Sequence, residues 1–394
     1  MSRVILKPRK ARPFFGRHPW VLDSAVERVE GEPANGDLVE LISDRGQWIA
    51  RGAINSRSRI RVRLYTWSES EPLDDAFWRR RLAAALDWRA RLLRCEADGG
   101  MRLVNSEADG LSGLVVDRYA EFLVLQVTAL AMAARLDCIV PALAELVRPR
   151  GIVVRAEREM VKLEKMALTE GTAWGETPDG PVFISEHGLR YGVELGEGQK
   201  TGFFLDQREN RRAAAGYLGG RQVLDLFCYS GSFGICASAL GGAADVLGID
   251  SSPKAVALAR ANAALNEVTN ARFEEGDAFQ TLAALADQGR RFGAVVLDPP
   301  KFARHRQALA EALRAYHHLN KQAVELVQPD GILVTCSCSG HVTREDFLHV
   351  LAEVAQRTGR EIQVLEQRGA APDHPVAATC LENEYLKCCI CRVA

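Results

Sequence analysis

No run of about 18 apolar residues occurs in this 394-residue chain, which excludes a helical membrane span of ordinary length. The basic opening, MSRVILKPRKARPFFGRHPW, does not lead into an apolar stretch with a small-residue cleavage site. No signal peptide is therefore expected, and the cytoplasm is the expected compartment. The cysteines lack the spacing of a disulfide framework: most cluster at 228–236, 336–338 and 380–391, so free thiols are expected. Paired C-x2-C knuckles are missing too, so CSC at 336–338 and CCIC at 388–391 do not read as zinc ligands, and no metal is expected. Internal repeats and low-complexity segments are absent. Net charge is close to absent at −1, which by itself points to no polyanionic partner. Its distribution is more telling. Residues 1–63 hold thirteen Lys/Arg against seven Asp/Glu, and the first twenty hold six basic residues and no acidic one. A basic end on a near-neutral chain is the footprint of phosphate contact, with a solvated basic tail as the plain alternative.

What is present is the composition of an ordinary globular protein, 47% hydrophobic and 26% charged, with enough chain for two or three domains. Residues 1–71 alternate short β-like runs (DLVELI, WIARGAI, RIRVRLYTW) with turns at Asn35-Gly36 and Asp44-Arg45-Gly46, predicting a small β-rich domain. After the polar linker SESEPLDD the spacing turns helical from Ala76 to about Arg94. Strands follow in LSGLVVDRYAEFLVLQV, GIVVRA and VFISEHGLRYGVEL, so residues 72–190 read as an α+β middle domain. From about residue 220 strand, loop and helix repeat: QVLDLF, DVLGID, AVVLDPP and GILVTCSCS are strands, and YLKCCICRV closes the chain. That rhythm predicts an α/β domain over residues 191–394 with a parallel, doubly wound sheet.

Ligands of such sheets bind beyond the carboxyl ends of the strands. Four ends carry acidic residues: Asp225 before the loop of Phe227, Tyr229, Ser230 and Gly231; Asp250; Asp277; and Asp298 in DPPK. Gly231 and Gly234 are expected to let the backbone come close to a ligand. Asp250, nineteen residues past Gly231, suits a pair of ribose hydroxyls. A dinucleotide site would need G-x-G-x-x-G, and Phe227 and Tyr229 occupy those places. The set resembles a class I (Rossmann-like) methyltransferase, which implies S-adenosylmethionine. Upstream, GQKTGFFLDQR reads as a flap over that cofactor, with Phe203 or Phe204 against the adenosine and Thr201, Asp206 and Gln207 as polar contacts.

The strand GILVTCSCSG ends in two cysteines on alternate positions, which places Cys336 deeper and Cys338 at the mouth of one face. Packing explains a buried cysteine. A thiol beside a methyl donor has a sharper use. Carbon 5 of a pyrimidine is a poor nucleophile until a thiolate adds to carbon 6. An acid near ring nitrogen 3 assists, and Asp298 is the expected group.

GQKTGFFLDQR, DLFCYSGSFG, LDPPKFA, SCSG and DHP at 373–375 together resemble the RlmI-type cytosine-5 methyltransferases of large-subunit ribosomal RNA, over nearly the whole chain. The resemblance implies a PUA domain in residues 1–71, 23S rRNA as substrate, 5-methylcytosine as product and a nucleophile in Ser337-Cys338-Ser339. TCS also occurs at 335–337. The wider group of RNA cytosine-5 methyltransferases sets its nucleophile seven residues after the glycine opening this strand, and Gly331 then points to Cys338. The second cysteine that some relatives carry beside Pro-Pro is not matched at 298–301, which leaves the base for the carbon 5 proton unassigned. RNA contacts are expected from Arg9, Lys10, Arg12, Arg17, Lys301, Arg304 and His374, and a homodimer is allowed for. Three rivals stay open: uracil carbon 5, a guanine methyltransferase needing no thiol, and a non-catalytic RNA-binding assembly factor.

Overall fold

The computed structural model describes all residues except 157, 196–201 and 304; of Arg158 only the backbone is described. The chain forms two compact units. One comprises residues 1–184, 193–202 and 372–383; the other comprises 185–192, 203–371 and 384–394.

The first unit holds two sheets. Strands β1 (Ser2–Leu6), β2 (Trp20–Leu22), β3 (Val26–Glu30), β4 (Leu38–Ile42), β5 (Trp48–Ile54) and β6 (Ile60–Thr66) form a sheet of order β2-β6-β5-β4-β1-β3, antiparallel except for the β1–β4 pair. Val4, Leu6, Val39, Leu41, Val62 and Leu64 alternate inward along these strands and build its core with Phe14. The helix Asp75–Leu92 starts where Asp74 caps it by accepting from Phe77 N, one residue before the expected start, and ends two residues before the expected end. It packs Phe77, Trp78 and Leu82 into the core of a second sheet. That sheet has the order β11-β10-β9-β8-β7, from β7 (Gly100–Asn105), β8 (Leu114–Tyr119), β9 (Phe122–Val127), β10 (Gly151–Arg155) and β11 (Gly171–Gly175). A two-stranded ladder follows, β12 (Val182–Glu186) with β13 (Leu189–Val193).

The second unit is built on seven strands: β14 (Gln222–Leu226), β15 (Asp245–Asp250), β16 (Ala271–Glu275), β17 (Phe292–Leu297), β18 (Val327–Ser337), β19 (Ile362–Arg368) and β20 (Lys387–Val393), in the order β16-β15-β14-β17-β18-β20-β19. Leu224, Leu226, Val295, Leu297 and Leu333 face one apolar layer, and Val223, Val246, Ala294, Val296, Ile332 and Val334 the other. Helices cover both faces, as the near-continuous apolar strands require. The sheet is not wholly parallel: β20 runs antiparallel to β18 and β19. A parallel return needs a crossover, usually a helix, and only a short 3-10 turn at Leu381–Asn383 lies between β19 and β20. The β19 strand has no counterpart in the sequence-based reading. It is an edge strand whose IQVLEQR lies largely in solvent, so its apolar pattern is weak.

Candidate active site

Strand order reverses between β14 and β17, and the crevice past their carboxyl ends is the ligand position of an open α/β sheet. The loop after β14 is tightly held. Cys228 N donates to Ile249 O at 3.0 Å, Gly231 N to Cys228 O at 2.7 Å, and Asn262 Nδ2 to Ser230 O at 3.1 Å. Phe227 (φ 62°) and Tyr229 (φ 46°) lie in the left-handed region, a conformation that aromatic residues adopt only when their surroundings impose it.

The glycines of this loop differ from expectation. A Cβ on Gly231 (φ 74°) would stand 2.8 Å from Phe273 and 2.9 Å from Ala259, and one on Gly234 2.9 Å from Val246 and 3.2 Å from Asp225. Contacts within the protein therefore fix both positions, rather than a ligand's approach. Asp225 is likewise tied inward, its Oδ2 accepting from Gly234 N at 2.9 Å. Burial raises its pKa to about 8, with the charges of Asp298 and Asp250 adding and the Gly234 bond opposing.

Asp250 is half-buried at the end of β15. Its Oδ2 accepts from Tyr229 N at 3.0 Å and its Oδ1 from Ser252 N at 2.9 Å. Each carboxylate oxygen keeps a second lone pair, which suits a pair of hydroxyls. Asp277 is exposed and caps the helix Ala278–Asp287 by accepting from Gln280 N at 3.0 Å. Asp225 Oδ1 and Ser230 Oγ are buried with no partner among the described residues. Phe204, 36% exposed, meets Tyr229 edge-on at 5.3 Å. Acceptor oxygens beside an open aromatic edge fit the nucleoside of S-adenosylmethionine.

The rest of the upstream segment supports rather than lines the crevice. Phe203 is buried against Tyr191 at 5.0 Å and under Arg211 at 4.7 Å. Asp206 Oδ2 accepts from Tyr385 Oη at 2.7 Å. Gln207 is buried and donates from Nε2 to Asp298 Oδ1 at 3.0 Å, which links two residues singled out from separate motifs. Thr201 and Arg304 lie outside the described residues.

The two cysteines separate clearly. Cys336 is fully buried inside β18, opposite Cys388 of β20, and a hydrogen bond to Cys388 together with burial holds its thiol protonated. The strand ends at Ser337, so Cys338 stands past the ladder, partly exposed, with Sγ 3.7 Å from Pro299 O. The adjoining turn is anchored through Ser339, whose Oγ accepts from Ala303 N at 3.2 Å and lies 3.1 Å from Tyr316 Oη. Lys387 Nζ donates to Ser339 O at 2.6 Å and to Tyr385 O at 2.8 Å. Sequence reasoning passed over Tyr316 and Lys387. The signal for the second was a single charge opening the apolar run KCCIC.

Arg9, Lys10, Arg12 and Arg17 are exposed on the first unit, and Lys301 is exposed on the second. His374 is only 4% exposed, with Nδ1 3.1 Å from Asp373 Oδ1, while Asp373 accepts from Arg102 N at 2.8 Å. The expected RNA contact would need His374 at a surface; here it belongs to the interior of the first unit. His18, Cys380 and Glu382 bring ligand-type atoms within 4.8 Å of one another. Trp20 N donates to His18 Nδ1 at 3.2 Å, which leaves the proton of a neutral ring on Nε2, facing Glu382 Oε1 at 3.3 Å. Burial also pushes the Cys380 thiol up. The trio reads as a hydrogen-bonded cluster, since a metal would have to displace both protons.

Residues 4–67 match the PUA-like domain family, and residues 118–383 match the family described as S-adenosylmethionine-dependent methyltransferase. Among solved structures, a Streptococcus mutans protein described as a SAM-dependent methyltransferase superposes over 100% of both chains at TM-score 0.85 and 19% identity. A methyltransferase complexed with SAH does so at TM-score 0.87 and 19% identity, again over 100% of both chains. These two likenesses establish the fold, and the family match over the site establishes the class: the chain is an S-adenosylmethionine-dependent methyltransferase. Ribosomal RNA large subunit methyltransferase I of Enterobacter sp. (strain 638) is 38% identical over 99% of each chain, as is the protein of that name from Escherichia coli (strain K12). The chain belongs to the ribosomal RNA large subunit methyltransferase I family. Among the described residues, no helix is long and apolar enough to cross a membrane.

Proposed function

We propose that this enzyme methylates carbon 5 of a cytosine in 23S ribosomal RNA, with Cys338 as the nucleophile. The observation that carries the reading is the position of Cys338: past the end of β18, partly exposed, its Sγ 3.7 Å from the carbonyl of Pro299, the residue next to Asp298. Bound S-adenosylmethionine supplies the methyl group. The Cys338 thiolate adds to carbon 6, which makes carbon 5 nucleophilic. After methyl transfer the carbon 5 proton passes to water and the thiolate is eliminated, restoring the ring. Asp298, held by Gln207 at Oδ1, acts as a carboxylic acid and gives its proton to ring nitrogen 3 as negative charge develops there, taking it back when the thiolate leaves. Asp250 and Asp277 hold the ribose and adenine ends of the cofactor, with Asp225 and Ser230 beneath them. The 38% identity to proteins named for the large-subunit RNA supports the substrate, and the PUA-like match supports RNA contact through residues 1–71. The same reading takes residues 72–190 as a middle domain, 191–394 as the catalytic domain and the cytoplasm as compartment, and it allows for a homodimer. Extrusion of the target base follows from the chemistry, because carbon 6 must be reached from its face.

Covalent trapping tests the reading. Ribosomal RNA carrying 5-fluorocytosine cannot lose its fluorine as a proton, so the adduct persists on a denaturing gel. It is expected with the natural enzyme and Cys336→Ala and not with Cys338→Ala. Loss only in Cys336→Ala would reverse the choice of cysteine. Full methyl transfer by Cys338→Ala without any adduct would point instead to a guanine methyltransferase.

A further inference from the structure

Among the described residues five buried side chains are cationic: Arg51, Arg63, Arg89, Arg211 and Lys387. Each arginine has a carboxylate partner, in Glu40, Glu107, Asp109 and Glu186 respectively. Lys387, 1% exposed, has no carboxylate within ion-pair distance among the described residues. It donates to two neutral carbonyls, Ser339 O and Tyr385 O. A buried ammonium without a counter-charge is costly, and a sequence keeps one only where the surroundings compensate. The compensation is beside it. Lys387 stands opposite Ser337 in the β18–β20 ladder, and its Nζ donates to the carbonyl of Ser339, so the ammonium is held at the turn that carries Cys338, whose charge would favour it.

We propose that Lys387 is a positioning residue whose ammonium is the counter-charge of the Cys338 thiolate, and that the pairing keeps the thiolate populated at neutral pH. The inference rests on the reading of Cys338 as nucleophile. Lys387 is sealed behind the turn, so it acts through Cys338 and does not touch the base. Its own ionisation is consistent with this: burial lowers its pKa to about 8, while Cys338, Glu384 and Asp346 raise it and Arg344 opposes. The ammonium is therefore half formed near pH 8 and mostly formed at neutral pH, where an unassisted thiol is mostly protonated. The other titratable groups around this turn are Asp298 at the end of β17, Tyr316 on the helix Leu309–Leu326, and His341 in the turn itself, with Lys301, His305 and Arg306 near it. Burial raises Tyr316 to about 12, so it stays neutral. Burial and the three neighbours disfavour the charged form of His341, which leaves Lys387 as the cation held against the thiol.

The test is the pH profile of Cys338 alkylation by iodoacetamide in the full-length protein, read at that residue by peptide mass spectrometry. In the natural protein the midpoint is expected below that of free cysteine, about 8.5. Lys387→Met is expected to move it up by about one unit, slowing alkylation at pH 7 roughly tenfold, and Lys387→Arg to restore most of the rate. Circular dichroism and S-adenosylmethionine binding confirm that each variant is folded. An unchanged midpoint in folded Lys387→Met overturns the pairing. If that variant does not fold, a midpoint at or above 8.5 in the natural protein overturns it equally. Alkylation needs no RNA, so its result is separate from the trapping experiment: an RNA adduct that survives in Cys338→Ala defeats the nucleophile and leaves the alkylation profile to judge the pairing.

Discussion

The side-chain amide of Gln207 bridges two parts of the second unit, donating to Asp298 Oδ1 at 3.0 Å and accepting from Asn210 Nδ2 at 2.6 Å. Asn210 is fixed in turn by Gly369 O at 3.0 Å and by Arg368 Nε at 3.1 Å. The carboxyl group of Asp298 is thus aimed by a chain of buried amides. Gln207→Leu removes that aim while leaving the Asp298 carboxyl group in place. Loss of one hydrogen bond to a neutral carboxyl is worth about 0.5–1.5 kcal/mol, so kcat should fall roughly threefold to tenfold. Affinity for S-adenosylmethionine should change by less than about threefold. Single-turnover methylation beside calorimetric titration of the cofactor separates the two; a loss confined to cofactor affinity would remove Gln207 from the support of Asp298.

Asp250 braces its loop and is proposed to hold the cofactor ribose, and its removal should show both. Its carboxylate holds the backbone N–H groups of Tyr229 and Ser252 and offers its remaining lone pairs outward. Asp250→Ala is expected to weaken S-adenosylmethionine binding by at least about tenfold, the order expected for losing charge-assisted hydrogen bonds to hydroxyls. RNA affinity of the variant should be unchanged. Calorimetric titration with the cofactor and filter binding of RNA measure the two; equal cofactor affinity in variant and parent would take Asp250 out of the site.

The sequence was most legible where periodicity and position agree. Four acidic residues at successive strand ends led to the crevice because an α/β sheet presents its strand ends together, and a parallel sheet was readable from its apolar runs. The antiparallel sense of β20 was not, because YLKCCICRV looks the same in either direction. Strand β19 was missed since an edge strand need not be apolar. Alternation along β18 put Cys336 and Cys338 on one face, but the ladder stops at Ser337, so only Cys336 obeys it. The glycines of the loop were assigned to a ligand when Phe273, Ala259 and Val246 already demand them. Gln207 and Lys387 act through partners 91 and 48 residues away, Asp298 and Ser339, and such separations leave no trace in local pattern.

Asp225 should impose a pH dependence on stability. Its folded pKa is about 8 against an ordinary 3.8, raised chiefly by burial. The folded state therefore holds a proton that the unfolded state releases. The associated stability is fully present below about pH 4 and is lost as pH rises through about 8. Asp225→Asn cannot ionise, and its amide oxygen can still accept from Gly234 N. The melting temperature of the variant relative to the parent should rise progressively from pH 4 to pH 8. Thermal melts across that range decide it; parallel curves would mean that Asp225 ionises in the fold as it does in water.

The basic end of the chain makes a prediction about salt. Arg9, Lys10, Arg12 and Arg17 are exposed, and none is ion-paired with another described residue. Arg9 and Arg17 also take positive φ, at 66° and 64°, which marks the turns that present them. Cations held on a folded surface release counterions when they meet phosphate, and each contact to a single strand contributes about 0.7 to the slope of log affinity against log salt. Replacing all four by alanine should lower that slope by up to about 3 and weaken RNA binding uniformly across sequences, because phosphate contacts carry no base information. S-adenosylmethionine affinity should be untouched, since the residues proposed to hold the cofactor lie in the other unit. Fluorescence titration of an RNA fragment at several salt concentrations gives the slope. An unchanged slope would move the RNA-binding surface away from the first strand and its following turn, and would leave the charge of residues 1–63 as a solvated surface.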